Sequence, residues 1–308
     1  MDLSVVIVSY NTFDLTREAV QTARTSGDRS GLRHEVIVVD NASPDRSGPR
    51  LAEAFAHDPH VTVVCNPGNS GFSAANNQGA ALSTGRNLFF LNPDTRTLGE
   101  ALGTLVAYLD AHPGAGAVGP RVRNADGSDQ RSIGFFPTAA RLLRHYLPVF
   151  DGLRGRSARL ELILPESAFV EVVMGCALAL RRDAFDAVGG WNEGIFMYAE
   201  EDELCLHLTR AGRPSYFLRE AEIVHLGRQS TADGFANHQI VAQRSFAAFL
   251  RQHFPHLVRL DRFLGTLGFG LRALVYCLWL RRRPHDAALR KRYDAARGLT
   301  LWYWSSYS

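Results

Sequence analysis

Cysteine is scarce in this sequence. Four occur in 308 residues, at positions 65, 176, 205 and 277, and none forms a Cys-x-x-Cys pair. That spacing excludes a zinc ribbon, a thioredoxin-type redox site and a disulfide framework, and it makes a reducing compartment the default. There is no Gly-x-Gly-x-x-Gly and no Gly-x-x-x-x-Gly-Lys-Ser/Thr, so a dinucleotide oxidoreductase and a P-loop NTPase are both disfavoured. A secretory leader is not expected either. Val5–Val8 is too short for one, carries no basic flank and runs into Ser9-Tyr10-Asn11. The chain is therefore expected to start and stay on the cytoplasmic side. No internal repeat is visible.

Hydrophobic residues make up 46% and charged residues 21%, a composition that folds. The length suits one large domain or two modest ones. Net charge is +3, unevenly distributed. Residues 251–308 hold eleven basic and three acidic residues, whereas residues 1–250 hold 23 basic and 28 acidic ones. A basic end suits anionic lipid or nucleic acid.

The first half alternates short apolar runs with amphipathic stretches. Strands are expected at 3–8, 36–39, 61–64, 88–91 and 115–118, with helices at 13–23, 51–55, 71–82 and 98–109 between them. Such alternation predicts an α/β fold, a mostly parallel sheet with helices on both faces. Residues 124–168 lack periodicity and read as a long excursion that covers substrate. A strand at 170–180 broken at Gly175, helices at 182–188 and 200–210, and a short strand at 222–225 follow. The expected domain spans 1–235, its donor half about 1–120 and its acceptor half about 121–235. A helical, basic region follows over 236–308.

Ligands of parallel sheets bind beyond the carboxyl ends of the strands. That directs attention to Ser9-Tyr10-Asn11, Asp40-Asn41 and Asn92-Pro93-Asp94, each directly after an expected strand. A carboxylate at Asp94 can hold Mg²⁺ or Mn²⁺ while leaving positions for phosphate oxygens. Gly68–Asn77 is rich in glycine and small residues and opens a helix, which permits close backbone approach by a phosphate or nucleoside. Glu200-Glu201-Asp202-Glu203 is either a solvated first helical turn or, given the apolar lead-in Phe196-Met197-Tyr198, a cleft that desolvates a carboxylate into a general base. His225 is a core histidine unless the chain folds back to Asp94, where it becomes a ligand.

Taken in order, these motifs resemble glycosyltransferase family 2, the inverting GT-A transferases, and most of all its bacterial rhamnosyltransferase branch. They are Val-Val-Ile-Val-Ser-Tyr-Asn, Val-Val-Asp-Asn-Ala-Ser, Asn-x-Gly-Phe-x-x-Ala-Asn-Asn-x-Gly, Asn-Pro-Asp-Thr and Gly-Gly-Trp-Asn-Glu-x-x-Phe-Met-Tyr-x-Glu-Glu, with a histidine near 225. The resemblance covers residues 3–230. It implies that Ser9, Tyr10, Asn11, Asp40 and Asn41 cradle the base and ribose of a nucleotide-sugar donor. Asn69, Gly71, Phe72, Asn76 and Asn77 would line its sugar side. Asn92 stands where the family's first metal-site Asp would be, Asp94 is the metal-binding carboxylate, and His225 completes the metal or diphosphate site. The family's base is the Asp of a Glu-Asp pair. Here that position is Glu201, so the base is Glu201 by register from Met197-Tyr198, or Asp202 if the helix start shifts. Gly175, Cys176, Trp191 and Glu200 would border the acceptor.

The implied donor is dTDP-L-rhamnose, with another nucleotide hexose as runner-up. The implied acceptor is a polyprenyl-diphosphate-linked sugar or a growing cell-wall or surface glycan. Phe263–Leu280 is apolar but contains Arg272 and is followed by Arg281-Arg282-Arg283. It lies on the inner membrane face with Arg272 at the headgroups, packs internally, or spans. Tyr293 and Leu299–Trp304 offer a patch for a homodimer. A catalytically silent nucleotide-sugar-binding scaffold on the membrane is the competing reading. Nucleic-acid binding lacks a reader motif and is not expected.

Overall fold

Packing divides the chain into two units, Met1–Phe136 with Ala158–Ser230, and Pro137–Ser157 with Thr231–Ser308. The computed structural model describes residues 1–147, 164, 167–227 and 235–305. In the first unit, runs of β-branched residues form β1 (Leu3–Ser9), β2 (His34–Asp40) and β3 (Val61–Cys65), separated by α1 (Phe13–Arg29) and α2 (Ser47–Ala54). Next come α3 (Phe72–Leu82), β4 (Asn87–Leu91), β5 (Thr95–Thr97), α4 (Ala101–Ala111), β6 (Ala117–Arg123) and β7 (Ile133–Gly134). After α5 (Ala139–Tyr146), which belongs to the second unit, the first resumes with β8 (Ser167–Val170), β9 (Val172–Val173), β10 (Ala177–Arg181), α6 (Arg182–Ala187), α7 (Glu200–Arg210) and β11 (Ser215–His225).

Nine strands form one sheet in the order β3-β2-β1-β4-β10-β6-β11-β5, with β8 also on β11. From β3 to β4 all pairings are parallel, as expected. Beyond β4 the sheet is mixed, because β10 enters antiparallel between β4 and β6. Alternation of side chains sends Val5, Ile7, Val36 and Phe89 to one face, against α1 and α4. Val6, Leu88 and Phe90 go to the other, with Ala80 of α3 and Leu204 and Leu208 of α7. Registers Ser9↔Asp40, Asp40↔Cys65 and Ile7↔Leu91 bring the carboxyl ends of the four parallel strands to one edge. The segments after them, including Tyr10-Asn11, Asn41 and Asn92, gather there.

The expected excursion at 124–168 is ordered in its first part. A turn joins β6 to Asp129 through the Arg123–Asp129 bridge, β7 pairs with β9, and Thr138 caps α5 with its side chain on the Arg141 amide. A cover over substrate would draw on 148–163, which lies outside the described residues.

The second unit contains α5, α8 (Phe235–His253), α9 (Val258–Arg282) and α10 (Ala287–Ser305). A boundary near 236 leaves out α5, whose Leu142 and Tyr146 pack with Leu250, Leu264, Phe269, Leu299 and Tyr303. Tyr146 donates to Asp261 Oδ1 at 2.6 Å and lies 2.8 Å from the Tyr303 hydroxyl, which donates to Gln243 at 3.0 Å. One expectation changes here. Leu299 and Tyr303 are fully buried, so they form core rather than a dimer patch; of that segment Leu301 and Trp304 are exposed. Arg272 donates to the His145 carbonyl at 3.2 Å, at the carboxyl end of α5, where the helix dipole favours a cation.

Candidate active site

Asp94 and His225 meet because β5 pairs antiparallel with β11, with His225 opposite Thr95. The Leu226 amide then donates to the Asp94 carbonyl at 2.9 Å. His225 Nε2 lies 3.3 Å from Asp94 Oδ1, and the carboxylate is 5% exposed. His225 Nδ1 faces Gln130 Oε1 at 2.6 Å, so Nδ1 donates to it and Nε2 is the nitrogen turned to Asp94. Gln130 is itself fixed, its amide donating to Asn124 Oδ1 at 2.7 Å and to the His225 carbonyl at 3.2 Å. A histidine held by its far nitrogen with the near one aimed at a carboxylate suits a divalent cation, as do the carboxylate and imidazole donors. Asn92, two residues before Asp94, adds a half-buried amide.

Glu201 lies against Gly175. The turn before β10 carries Gly175 and Cys176, and the Cys176 carbonyl accepts the Asn92 amide at 2.9 Å. A Cβ on Gly175 would stand 3.3 Å from Glu201 Cβ, so the glycine is what admits this side chain. The Gly175 amide hydrogen-bonds the Glu201 carboxylate. Burial raises the Cys176 thiol pKa, and both Asp94 and Glu201 raise it further.

The four acids at the start of α7 have different environments. Burial raises Glu201, while the Glu201 and Gly175 amides and Arg131 pull it down. Burial, with Glu201 as a like-charged neighbour, pushes Asp202 up to about 7 against Arg131. Glu200 is raised well above the usual carboxylate range by burial and by Glu201, and its Oε2 has no hydrogen-bond partner in this structure. Glu203 is structural, accepting from Asn192 Nδ2 at 2.9 Å. Glu200 and Glu203 are buried and Glu201 and Asp202 half-buried, while Phe196 of the apolar lead-in is exposed. The entry to this turn is strained, since Tyr198 and Ala199 both adopt left-handed backbone, at φ 70° and 66°.

Several of the residues expected at the donor spend their side chains on the protein. Ser9 Oγ joins a hydroxyl chain with Thr12 and Thr16. Asp40 accepts the Ser43 hydroxyl at 2.5 Å and the Ser43 amide at 3.0 Å. Asn41 staples the 66–71 loop, donating to Asn69 Oδ1 and the Gly71 carbonyl and accepting from the Ser70 amide. Asn76 donates to the Phe72 carbonyl one turn back. Asn77 clamps the Trp191 backbone from both its nitrogen and its oxygen. Tyr10 and Asn11 are exposed at the strand edge, Asn11 with φ 56°. Gly71, at φ 90°, lies against the Phe196 ring and the Phe72 amide donates to the Phe196 carbonyl, which ties the donor-side loop to the acidic segment. Trp191 offers no surface to an acceptor. It is 2% exposed, edge-on to Phe90 at 5.1 Å and to Phe72 at 5.9 Å.

Sequence reasoning passed over Gln130 and Arg131. Neither stands at a motif, and their partners are 95 and about 70 residues away in the chain.

The family described as Glycosyl transferase family 2 matches residues 4–189. The chain is similar to the N-acetylglucosaminyl-diphospho-decaprenol L-rhamnosyltransferase of Mycobacterium tuberculosis, 29% identical over 229 residues that cover 70% of this chain and 74% of that one. It is similar to the dTDP-rhamnosyl transferase RfbF of Shigella flexneri, 25% identical over 197 residues, 62% of this chain and 59% of that one. In fold it resembles the mannosyltransferase PcManGT from Pyrobaculum calidifontis, solved in complex with GDP-Man and Mn²⁺. The TM-score is 0.60 at 18% identity, over 97% of this chain and 87% of that one.

Proposed function

The chain belongs to glycosyltransferase family 2, and from that membership we propose a metal-dependent, inverting rhamnosyltransferase that uses dTDP-L-rhamnose and a sugar carried on a polyprenyl diphosphate. The observation that carries the reading is that the Asp94–His225 pair and Glu201 come together at Gly175-Cys176, where Glu201 lies against Gly175 and both carboxylates act on the Cys176 thiol. The choice of sugar and of a lipid-linked acceptor rests on the names of the relatives.

Asp94 and His225 would hold the cation, with Asn92 beside them. When bound, Mg²⁺ or Mn²⁺ supplies the positive charge that a departing nucleoside diphosphate needs. Glu201 is the general base. Its desolvated carboxylate takes the proton of the acceptor hydroxyl, and that oxygen bonds to the anomeric carbon as the carbon–oxygen bond to the diphosphate breaks on the opposite face. Configuration inverts in one displacement, so no second carboxylate nucleophile is needed. Asp202 is the like-charged neighbour of Glu201, and Arg131 offsets the negative charge of both. In this reading residues 1–120 bind the donor, 121–235 face the acceptor, and 236–308, with α5, keep the protein at the inner membrane face.

A panel of nucleotide sugars tests the reading, with Mn²⁺, Mg²⁺ or EDTA and a polyprenyl-diphosphate-linked sugar as acceptor. Transfer selective for dTDP-L-rhamnose, lost with EDTA and in Asp94→Ala, is the expected result. Selectivity for another nucleotide hexose would retain the mechanism and replace the sugar. Transfer that is indifferent to both EDTA and Asp94→Ala would overturn the metal site.

A further inference from the structure

We propose that the outward face of α9 is a docking surface for an anionic lipid bilayer, and that the helix lies flat on that surface instead of crossing it. This deepens the reading of a lipid-carried acceptor, but its observations come from the second unit alone.

Among the described residues, Pro255–Arg282 is long and apolar enough by composition to cross a membrane. Its two faces say otherwise. Phe263, Leu267, Leu271, Leu274 and Leu278 recur at steps of three and four, so they share one face, and they are 63%, 41%, 40%, 56% and 48% exposed. Trp279 closes the stripe at 52%. At 1.5 Å per residue the stripe runs about 24 Å. Its one intervening charge, Arg272, is turned to the α5 carbonyls. Arg259 and Arg262 precede the stripe and Arg281-Arg282-Arg283 follow it.

The opposite face is committed to protein. Gly265 lies against the Tyr303 ring, Gly268 against the Tyr146 carbonyl, and Asp261 accepts the Tyr146 hydroxyl. A crossing helix would have to surrender these contacts and carry Asp261 and Arg272 into hydrocarbon, at a cost that their present partners remove. An apolar stripe with arginines at both ends and aromatic residues near its limits is the pattern of an interfacial helix. Charge selects the occupant. Residues 251–308 carry eleven basic and three acidic residues, and one of the three, Asp261, is internal. A second copy of the chain would set this net positive charge against itself, whereas anionic headgroups complement it, each basic residue near such a surface strengthening binding about fivefold.

The test is sedimentation of the full chain, without donor, with vesicles of phosphatidylcholine alone or mixed with phosphatidylglycerol. The wild type is expected to bind the mixed vesicles. Leu267→Glu with Leu271→Glu should cut the partition at least tenfold. Arg281→Gln, Arg282→Gln and Arg283→Gln together should weaken binding at least tenfold on mixed vesicles and little on neutral ones. Circular dichroism checks the fold of each variant, and Phe263→Ser serves if the double variant does not fold. Binding unchanged in the glutamate variant overturns the surface. Wild-type protein that stays in the vesicles after alkaline carbonate overturns flat docking in favour of a span. Self-association abolished by the same glutamates, with no vesicle binding, makes the occupant a second copy. Failure of sugar transfer with vesicle binding as expected would remove the proposed reaction and leave the surface standing.

Discussion

The two units distribute polarity in opposite senses. In the first, β1 and β4 are buried throughout and β2 at every residue but Glu35, and polar groups collect where the strands end, at Asp40, Asn92, Asp94 and the start of α7. In the second, Asp261, Tyr146 and Tyr303 occupy the interior, and the leucines of α9 face outward. A sheet with polar rims is suited to holding a hydrophilic ligand. A helical unit with polar contacts inside and an apolar stripe outside is suited to an apolar neighbour. The contrast predicts that lesions in one unit leave the function of the other intact.

The largest expected effect is on the pH profile. Burial holds Glu201 and Asp202 above the usual carboxylate range, with Asp202 pushed up to about 7. Among the described residues, Cys176, Cys205, Glu200 and Arg131 are charged or titratable groups that act on them. A base must be deprotonated, so transfer should rise with pH along a limb that lies above the usual carboxylate range, falling up to about tenfold per unit below it. Asp202→Asn removes a like charge beside Glu201, so the acid limb should move to lower pH. A limb that stays at ordinary carboxylate values in the wild type would remove the desolvated base. Vesicle binding should show no such limb.

Next comes Gln130→Leu, which removes the acceptor that fixes the His225 tautomer. Calorimetry with Mn²⁺ should show about 10–100-fold weaker binding, the usual scale for outer-shell partners. Unchanged Mn²⁺ affinity would mean that His225 is not a ligand.

The smallest effect tests the second unit. Tyr146→Phe leaves Asp261 without one of its donors, at a cost of about 1–3 kcal/mol. Denaturant unfolding should detect the loss, while donor turnover stays at the wild-type value. Equal loss of both would couple the units and break the contrast.

The legible part of the molecule was the local part. The strands at 3–9, 34–40, 61–65 and 87–91 declare themselves by continuous β-branched and apolar runs, and the residues after them mark the binding edge. β5 was missed because Thr-Arg-Thr carries no apolar signal and is a strand only through its pairing with β11. The antiparallel entry of β10 between β4 and β6 is likewise a choice of neighbour, which periodicity does not encode. Asp94 and Glu201 stood out by their motifs. The work of Asn41, Asn76 and Asn77 as struts did not, since an asparagine that binds a ligand and one that staples a loop look alike in sequence. The exposed stripe of α9 could not be separated from a span until Gly265, Gly268 and Arg272 were seen to face protein.

The central claim is that Asp94 with His225 and Glu201 perform separate halves of one displacement. Its most direct test pairs calorimetric binding of dTDP-L-rhamnose, in Mn²⁺, with transfer rates for wild type, Asp94→Ala and Glu201→Gln. The account predicts a split. Asp94→Ala loses metal-dependent donor binding and turnover together, whereas Glu201→Gln binds donor as wild type does and transfers about 10²–10⁴-fold more slowly. Full transfer by Glu201→Gln, or donor binding by Asp94→Ala that is unchanged in Mn²⁺, would contradict it.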